Sequence, residues 1–157
     1  MKIVDVNEIY HLSFNITNIN VKSQMWNEGD TFNWRKNKRI RSGIMYFKDC
    51  DGTFYSEDGS SIAAKKGSLA FLSKGTNYSI TFNNVTDCIN SSYLVNFILT
   101  DDNGVEFTFS DKPIVLPVKA NGEIISYFEQ LIKYYNSTFC SPMKLKADVN
   151  RLIFAII

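Results

Sequence analysis

Residues 44–82 read IMYFKDCDGTFYSEDGSSIAAKKGSLAFLSKGTNYSITF, and four short apolar runs in this stretch are separated by turn residues at close, regular spacing. Residues 44–48 and 53–57 alternate bulky and polar positions, the period of a half-buried strand. Asp51-Gly52 and Asp58-Gly59 supply residues that tolerate φ > 0 in tight reversals. Residues 69–72 and 77–82 follow, each introduced by a lysine-glycine pair, Lys66-Gly67 and Lys74-Gly75. The pattern predicts a β-meander. Strands this short cannot bury a face alone, so they must curl against further strands into a barrel or sandwich.

Upstream, residues 19–26 read as a strand with Ile19, Val21, Ser23 and Met25 on one side and Asn20, Lys22, Gln24 and Trp26 on the other. A Glu28-Gly29-Asp30 turn leads to a second strand at 31–34, which runs into a cationic segment, Arg35-Lys36-Asn37-Lys38-Arg39-Ile40-Arg41. Residues 1–16 show no clear period and read as an arm or an edge strand, the arm being set at 1–14.

Downstream, 83–92 is polar and reads as a loop with a short edge strand near 86–89, and 93–99 is a strong strand. Asp101-Asp102-Asn103-Gly104 is the clearest hairpin turn, with 105–109 returning from it. Pro113 and Pro117 bracket a short extended run, 114–116, expected to leave the barrel. The period then changes. Ile124, Ile125, Phe128, Leu131, Ile132 and Tyr135 form the stripe of an amphipathic helix with Asn121 as N-cap. Ser141-Pro142 announces a second helix carrying Leu145, Val149, Leu152, Ile153 and Ile156. The chain stops on Phe154-Ala155-Ile156-Ile157 with no cap or polar tail, which predicts a piece of a longer protein.

At 157 residues the length suits one domain with a conventional core. Hydrophobic content of 45%, with 14% aromatic, excludes a solvated tail. Seventeen basic against 16 acidic residues leave a formal charge of +1, so nothing global draws the chain to a polyanion. Cys50, Cys88 and Cys140 are isolated and odd in number, fitting neither a disulfide framework nor a thiolate metal site. Asp5 and Glu8 interrupt what a signal peptide would need, and no apolar run reaches membrane-spanning length. A cytoplasmic protein with no membrane partner is expected.

The order of residues 44–82, with Lys66-Gly67-Ser68-Leu69, Phe71-Leu72-Ser73-Lys74-Gly75 and Tyr78-Ser79-Ile80 at its end, resembles the cupin barrel of the sensing half of AraC-type transcriptional regulators. Tyr93-Leu94-Val95-Asn96-Phe97 is similar to a later barrel strand of that family, and the resemblance runs from about Trp26 to the end of the chain. It implies a mainly β fold: a cupin-type β-barrel or jelly roll over 15–118, followed by two α-helices in a dimerisation segment, 119–157. It also implies a small-molecule effector, a homodimer, and contact with DNA only through a C-terminal helix-turn-helix domain absent from this chain.

Many cupins are metalloenzymes, holding a divalent ion with several convergent N and O donors. The positions matching those ligands here are Lys36, Lys38, Gly43 and Tyr78, and the lone His11 lies outside the barrel motif, so no metal, cofactor or catalytic residue is expected. The cationic run admits three readings: a solvated face, arginines pointing into the barrel to hold a polar or anionic ligand, or a nucleic-acid patch. Arg35 matches a sugar-contacting arginine in the arabinose-responsive member of the family. Trp26, Trp34 and Tyr78 can offer a ligand both a face and a donor. In the family the residues matching Leu94 and Asn96 look into the pocket, and a polar Asn96 in an apolar strand either satisfies a neighbour or binds something.

The expected ligand site is therefore Trp26, Trp34, Arg35, Tyr78, Leu94 and Asn96. The expected dimer surface is Ile125, Phe128, Leu131, Ile132, Tyr135, Leu145, Val149 and Leu152, although each stripe could instead meet its own barrel. Sugars, bile acids, small carboxylates and peptides all suit such a pocket. A cupin enzyme of the sugar isomerase or dioxygenase class, or a stand-alone carbohydrate-binding jelly roll, are the alternatives.

Overall fold

Alternation along the central strands is the key to the architecture, because both of its faces are apolar. A computed structural model describes residues 1–34 and 36–156. In β4 (Ser42–Phe47) every residue is buried. Ile44 and Tyr46 enter a core shared with the helices, while Met45 and Phe47 enter a second core between two sheets. β7 (Ser68–Leu72) and β9 (Ser92–Asp101) divide their side chains in the same way. A sheet covered on both faces reads as near-continuous apolar sequence, which is what 44–47, 69–72 and 93–99 are.

The larger sheet has seven strands in the order β1 (Lys2–Ile3), β10 (Glu106–Thr108), β9, β4, β7, β11 (Ile114–Lys119), with β2 (Phe14–Gln24) along the other side of β9. The smaller sheet runs β3 (Thr31–Asn33), β8 (Tyr78–Asn83), β5 (Asp51–Ser56), β6 (Ser61–Ala64). The two sheets form a jelly-roll barrel, followed by α1 (Gly122–Tyr135) and α2 (Pro142–Ile156).

Residues 44–82 are not a simple meander. Only β5 and β6 form a hairpin; β4 and β7 belong to the large sheet and β5, β6 and β8 to the small one. Gly59 turns that hairpin at φ 82°, as its sequence predicts. Asp51-Gly52, however, lies within β5: a Cβ on Gly52 would come within 2.4 Å of the Phe47 ring, so glycine is needed there for close packing.

The remaining differences have local causes. Residues 114–119 stay with the barrel, pairing with β7 through an irregular register around Pro117. No strand forms at 86–89. The first 14 residues are docked rather than free: β1 pairs in parallel with β10, and Val4 and Ile9 are buried beneath it. β2 begins five residues before the expected Ile19, because one extra residue in it, with Asn18 at φ 53°, shifts its register against β9 and breaks the sequence alternation.

Both helices start where expected. Asn121 accepts a hydrogen bond from the Ile124 amide at 3.0 Å, and the Leu145 amide donates to the Ser141 carbonyl at 3.0 Å. Their stripes are spent inside the chain. Phe128, Leu131, Leu145, Val149 and Leu152 are buried against the large sheet and each other, with Ile125, Ile132 and Tyr135 packed at the margin. Assigning the buried five to a dimer surface is therefore corrected: the barrel's outer face is broad enough to take both stripes. Phe128 sits between Tyr46 and Tyr93, at ring-centroid distances of 5.7 and 6.3 Å.

Because that packing is intrachain, Phe128→Ala should cost about 3–5 kcal/mol, read as a fall in the urea midpoint that does not depend on protein concentration. A concentration-dependent midpoint would return the stripe to an interface.

Candidate ligand-binding site

Between the two sheets lies a cavity of about 270 Å³, lined by inward residues of both. Its walls are aromatic and aliphatic on the small-sheet side, where Phe54, Tyr78, Ile80 and Phe82 project. On the large-sheet side they become polar, with Asn20, Lys22 and Gln24 from β2 and Asn96 from β9. Five of the six residues expected to bind a ligand, Trp26, Trp34, Tyr78, Leu94 and Asn96, line this single space. The sixth, Arg35, lies outside the described residues.

The indoles are anchored. Trp26 stacks on Phe82 with centroids 4.0 Å apart and planes 11° from parallel, and its Nε1 donates to Ser92 Oγ at 3.0 Å. The Trp34 amide donates to the Tyr78 carbonyl at 2.7 Å, fixing Trp34 against β8.

The cation that enters is Arg39. Its backbone is held on both sides, its amide donating to Thr76 O at 3.0 Å and its carbonyl accepting from the Gly75 amide at 2.7 Å. The side chain therefore points inward and is only 5% exposed. Nη1 donates to Tyr78 Oη at 3.0 Å, Nη2 donates to Asn96 Oδ1, and the guanidinium carbon lies 6.0 Å from the centre of the Trp34 ring. Among the described residues Nε has no partner, nor does the buried Nε of Arg41, which also lines the cavity. No Asp or Glu side chain among the described residues lines it, and among them neither Arg39 nor Arg41 has an ion-pair partner.

A buried, uncompensated charge is costly, and the electrostatics show it. Burial pulls Arg39 below the usual guanidinium value; Tyr78 partly offsets this and the nearby Arg41 adds to it. Burial likewise pushes the Tyr78 phenol up, with Arg39 opposing. The arrangement offers a desolvated fork of N–H donors at the end of an apolar slot, a geometry matched to a planar anion.

Gly43 makes room for it. A Cβ there would stand 2.7 Å from Arg39 Nη2 and 3.0 Å from Asn96 Oδ1. Sequence analysis singled out Arg35 and left Arg39, Arg41 and Gly43 unassigned as ligand residues. Strand alternation from the inward Met45 reaches only Gly43, because Arg39 and Arg41 precede β4 and lie outside any strand. Of the positions matching cupin metal ligands, Tyr78 is bonded to a cation and Gly43 lies under one. Among the described residues no three His, Cys, Asp or Glu side chains gather as a metal site would need, and His11 is exposed on a short 3₁₀ helix. None of the described helices is long and apolar enough to cross a membrane.

No protein-family model matches the chain, and no curated protein sequence matches it. Solved structures do. A point variant of apo ToxT from Vibrio cholerae shares the fold at a TM-score of 0.56 and 13% identity, over 88% of this chain and 54% of that one. Wild-type ToxT with an unsaturated fatty acid bound aligns at a TM-score of 0.49 and 15% identity, over 92% and 55%. ToxT is an AraC-family regulator, and the fold found here is the kind the sequence resemblance implies. The present chain spans just over half the length of those proteins.

Two outcomes test the geometry. Gly43→Ala should displace the guanidinium and destabilise the fold by about 1–3 kcal/mol, whereas Gly122→Ala, with nothing within 4 Å of the added carbon, should be neutral in the same urea titration. Burial pushes the Cys50 thiol up to about 12, so at pH 8 a thiol reagent should label the exposed Cys88 and leave Cys50 unmodified until the protein unfolds.

Proposed function

We propose that this chain is the effector-sensing domain of an AraC-type transcriptional regulator and that its effector is a small organic anion with an apolar body. The observation that carries the ligand class is Arg39, a buried cation with open donors in a cavity lined by no carboxylate. Lys22 and Arg41 on the same wall give an anion further reason to enter. The indoles of Trp26 and Trp34 and the side chains of Phe82 and Leu94 would cover the apolar part of the ligand. The carboxylic acid seen in ToxT is of the same chemistry, but the reading rests on the residues here.

No catalytic step is proposed. A cupin metal centre would require donors that Lys36, Lys38, Gly43 and Tyr78 do not supply. In the proposed regulator the DNA-binding half lies in a separate domain, and the sensor acts in the reducing cytoplasm, in keeping with three free cysteines. Two copies would pair through the outward faces of the helices, where Met143 is 83% and Phe154 44% exposed, rather than through the buried stripe. Any response requires the effector to bind two arrangements of the domain unequally.

A thermal-shift screen of aliphatic and aromatic carboxylates, each beside its neutral primary amide, tests the reading, since a ligand selective for the folded barrel raises its Tm. The acids should stabilise and the amides should not. Arg39→Met should weaken the acid by about 1.5–3 kcal/mol, roughly ten- to a hundredfold in Kd. Equal binding of acid and amide would remove the anion from the proposal.

A further inference from the structure

We infer that Asn20 connects the state of Arg39 to the last turn of α1, so that the pocket reports to the helix layer through one amide side chain. This rests on the reading of the cavity as a ligand site. Asn20 lines the cavity, yet its Nδ2 donates to Tyr135 Oη at 3.0 Å, and Tyr135 is the final residue of α1. The contact is possible because β2 pairs only with β9, which leaves an edge past which a side chain from the helix layer can reach. The other end of the amide, Oδ1, is buried and accepts nothing.

Directly across the strand pair from Asn20 stands Asn96. Opposed residues of an antiparallel pair hold their Cβ atoms about 4.5–5.5 Å apart on the same face, and both side chains face the cavity. Asn96 Oδ1 accepts from Arg39, which orients its amide.

Two arrangements follow from this donor and acceptor inventory. In one, Arg39 holds Asn96 and Asn20 holds Tyr135. In the other, an anion draws the guanidinium away and Asn96, released, turns its NH₂ to the open Oδ1 of Asn20. Asn20 then leaves Tyr135, and the end of α1 loses its tie to the sheet. The bulge at Asn18, two residues before Asn20, gives β2 local freedom to accommodate the turn.

The inference can be tested without a ligand by amide hydrogen exchange over residues 132–136 of the whole chain. Arg39→Met, which releases Asn96, should speed exchange there by about two- to tenfold, the equivalent of one neutral hydrogen bond. In a Tyr135→Phe background, where exchange is already fast, Arg39→Met should add nothing. Asn96→Asp clamps Arg39 and removes the amide hydrogens that Asn20 would receive, so it should leave 132–136 as protected as in the wild type; it carries the test if the Arg39 variant does not fold. No change in Arg39→Met, the same acceleration with or without the Tyr135 hydroxyl, or faster exchange in Asn96→Asp would each overturn the connection. Because no effector is added, these results stand apart from whether carboxylates bind.

Discussion

The central strands of the large sheet have no solvent face, and the rest of the molecule is arranged around that constraint. Its outer side is covered by α1 and α2, its inner side by the small sheet, so each of its central strands contributes alternate residues to two different interiors. Tyr93, Val95 and Phe97 pack under the helices while Leu94 and Asn96, between them, face the cavity. The ligand wall and the helix-packing wall are thus two sides of one layer of backbone, and a small displacement of a strand is felt on both. No long chain of contacts therefore separates the cavity from the helices.

The cavity between the sheets is arranged around a buried cation, Arg39. Tyr78 and Asn96, which could have contacted a ligand on their own account, are engaged in holding the guanidinium in place. Of the two readings of Asn96, the structure shows the first: its Oδ1 satisfies a neighbour, Arg39, from the cavity wall. Arg39 is held by neutral acceptors only, which keeps its charge available, whereas a carboxylate partner would have cancelled it.

Much of this was legible in the sequence. The strand content, the Asp101–Gly104 hairpin, both helix starts and the division of β2 after residue 19 into two sides all followed from period and turn chemistry. What could not be read was the partner of each strand. Local alternation is the same whether neighbouring strands pair with each other or with members of opposite sheets, so 44–82 looked like a meander. Gly52 was misread for a related reason: an Asp-Gly pair signals a turn unless a distant ring, here Phe47, needs the space. Arg39 was hidden in a run of cations because the segment after β3 is not a strand, and only its backbone ties to Gly75 and Thr76 decide which way it points. The helical stripes were plain, but burial against the chain's own barrel or a sister copy depends on the area of a sheet that no single segment reveals.

The irregularity in β2 carries one more implication. Ile16 pairs with Leu99 before it and Val21 with Val95 after it, so the helix-facing positions change from even to odd numbering across a single extra residue. Loss of that one residue would keep the strand's composition and turn Asn20, Lys22 and Gln24 toward the helices, placing apolar side chains in the ligand wall. Descendants of this scaffold could thus trade a polar cavity wall for a greasy one by a one-codon deletion, with no substitution anywhere in the strand.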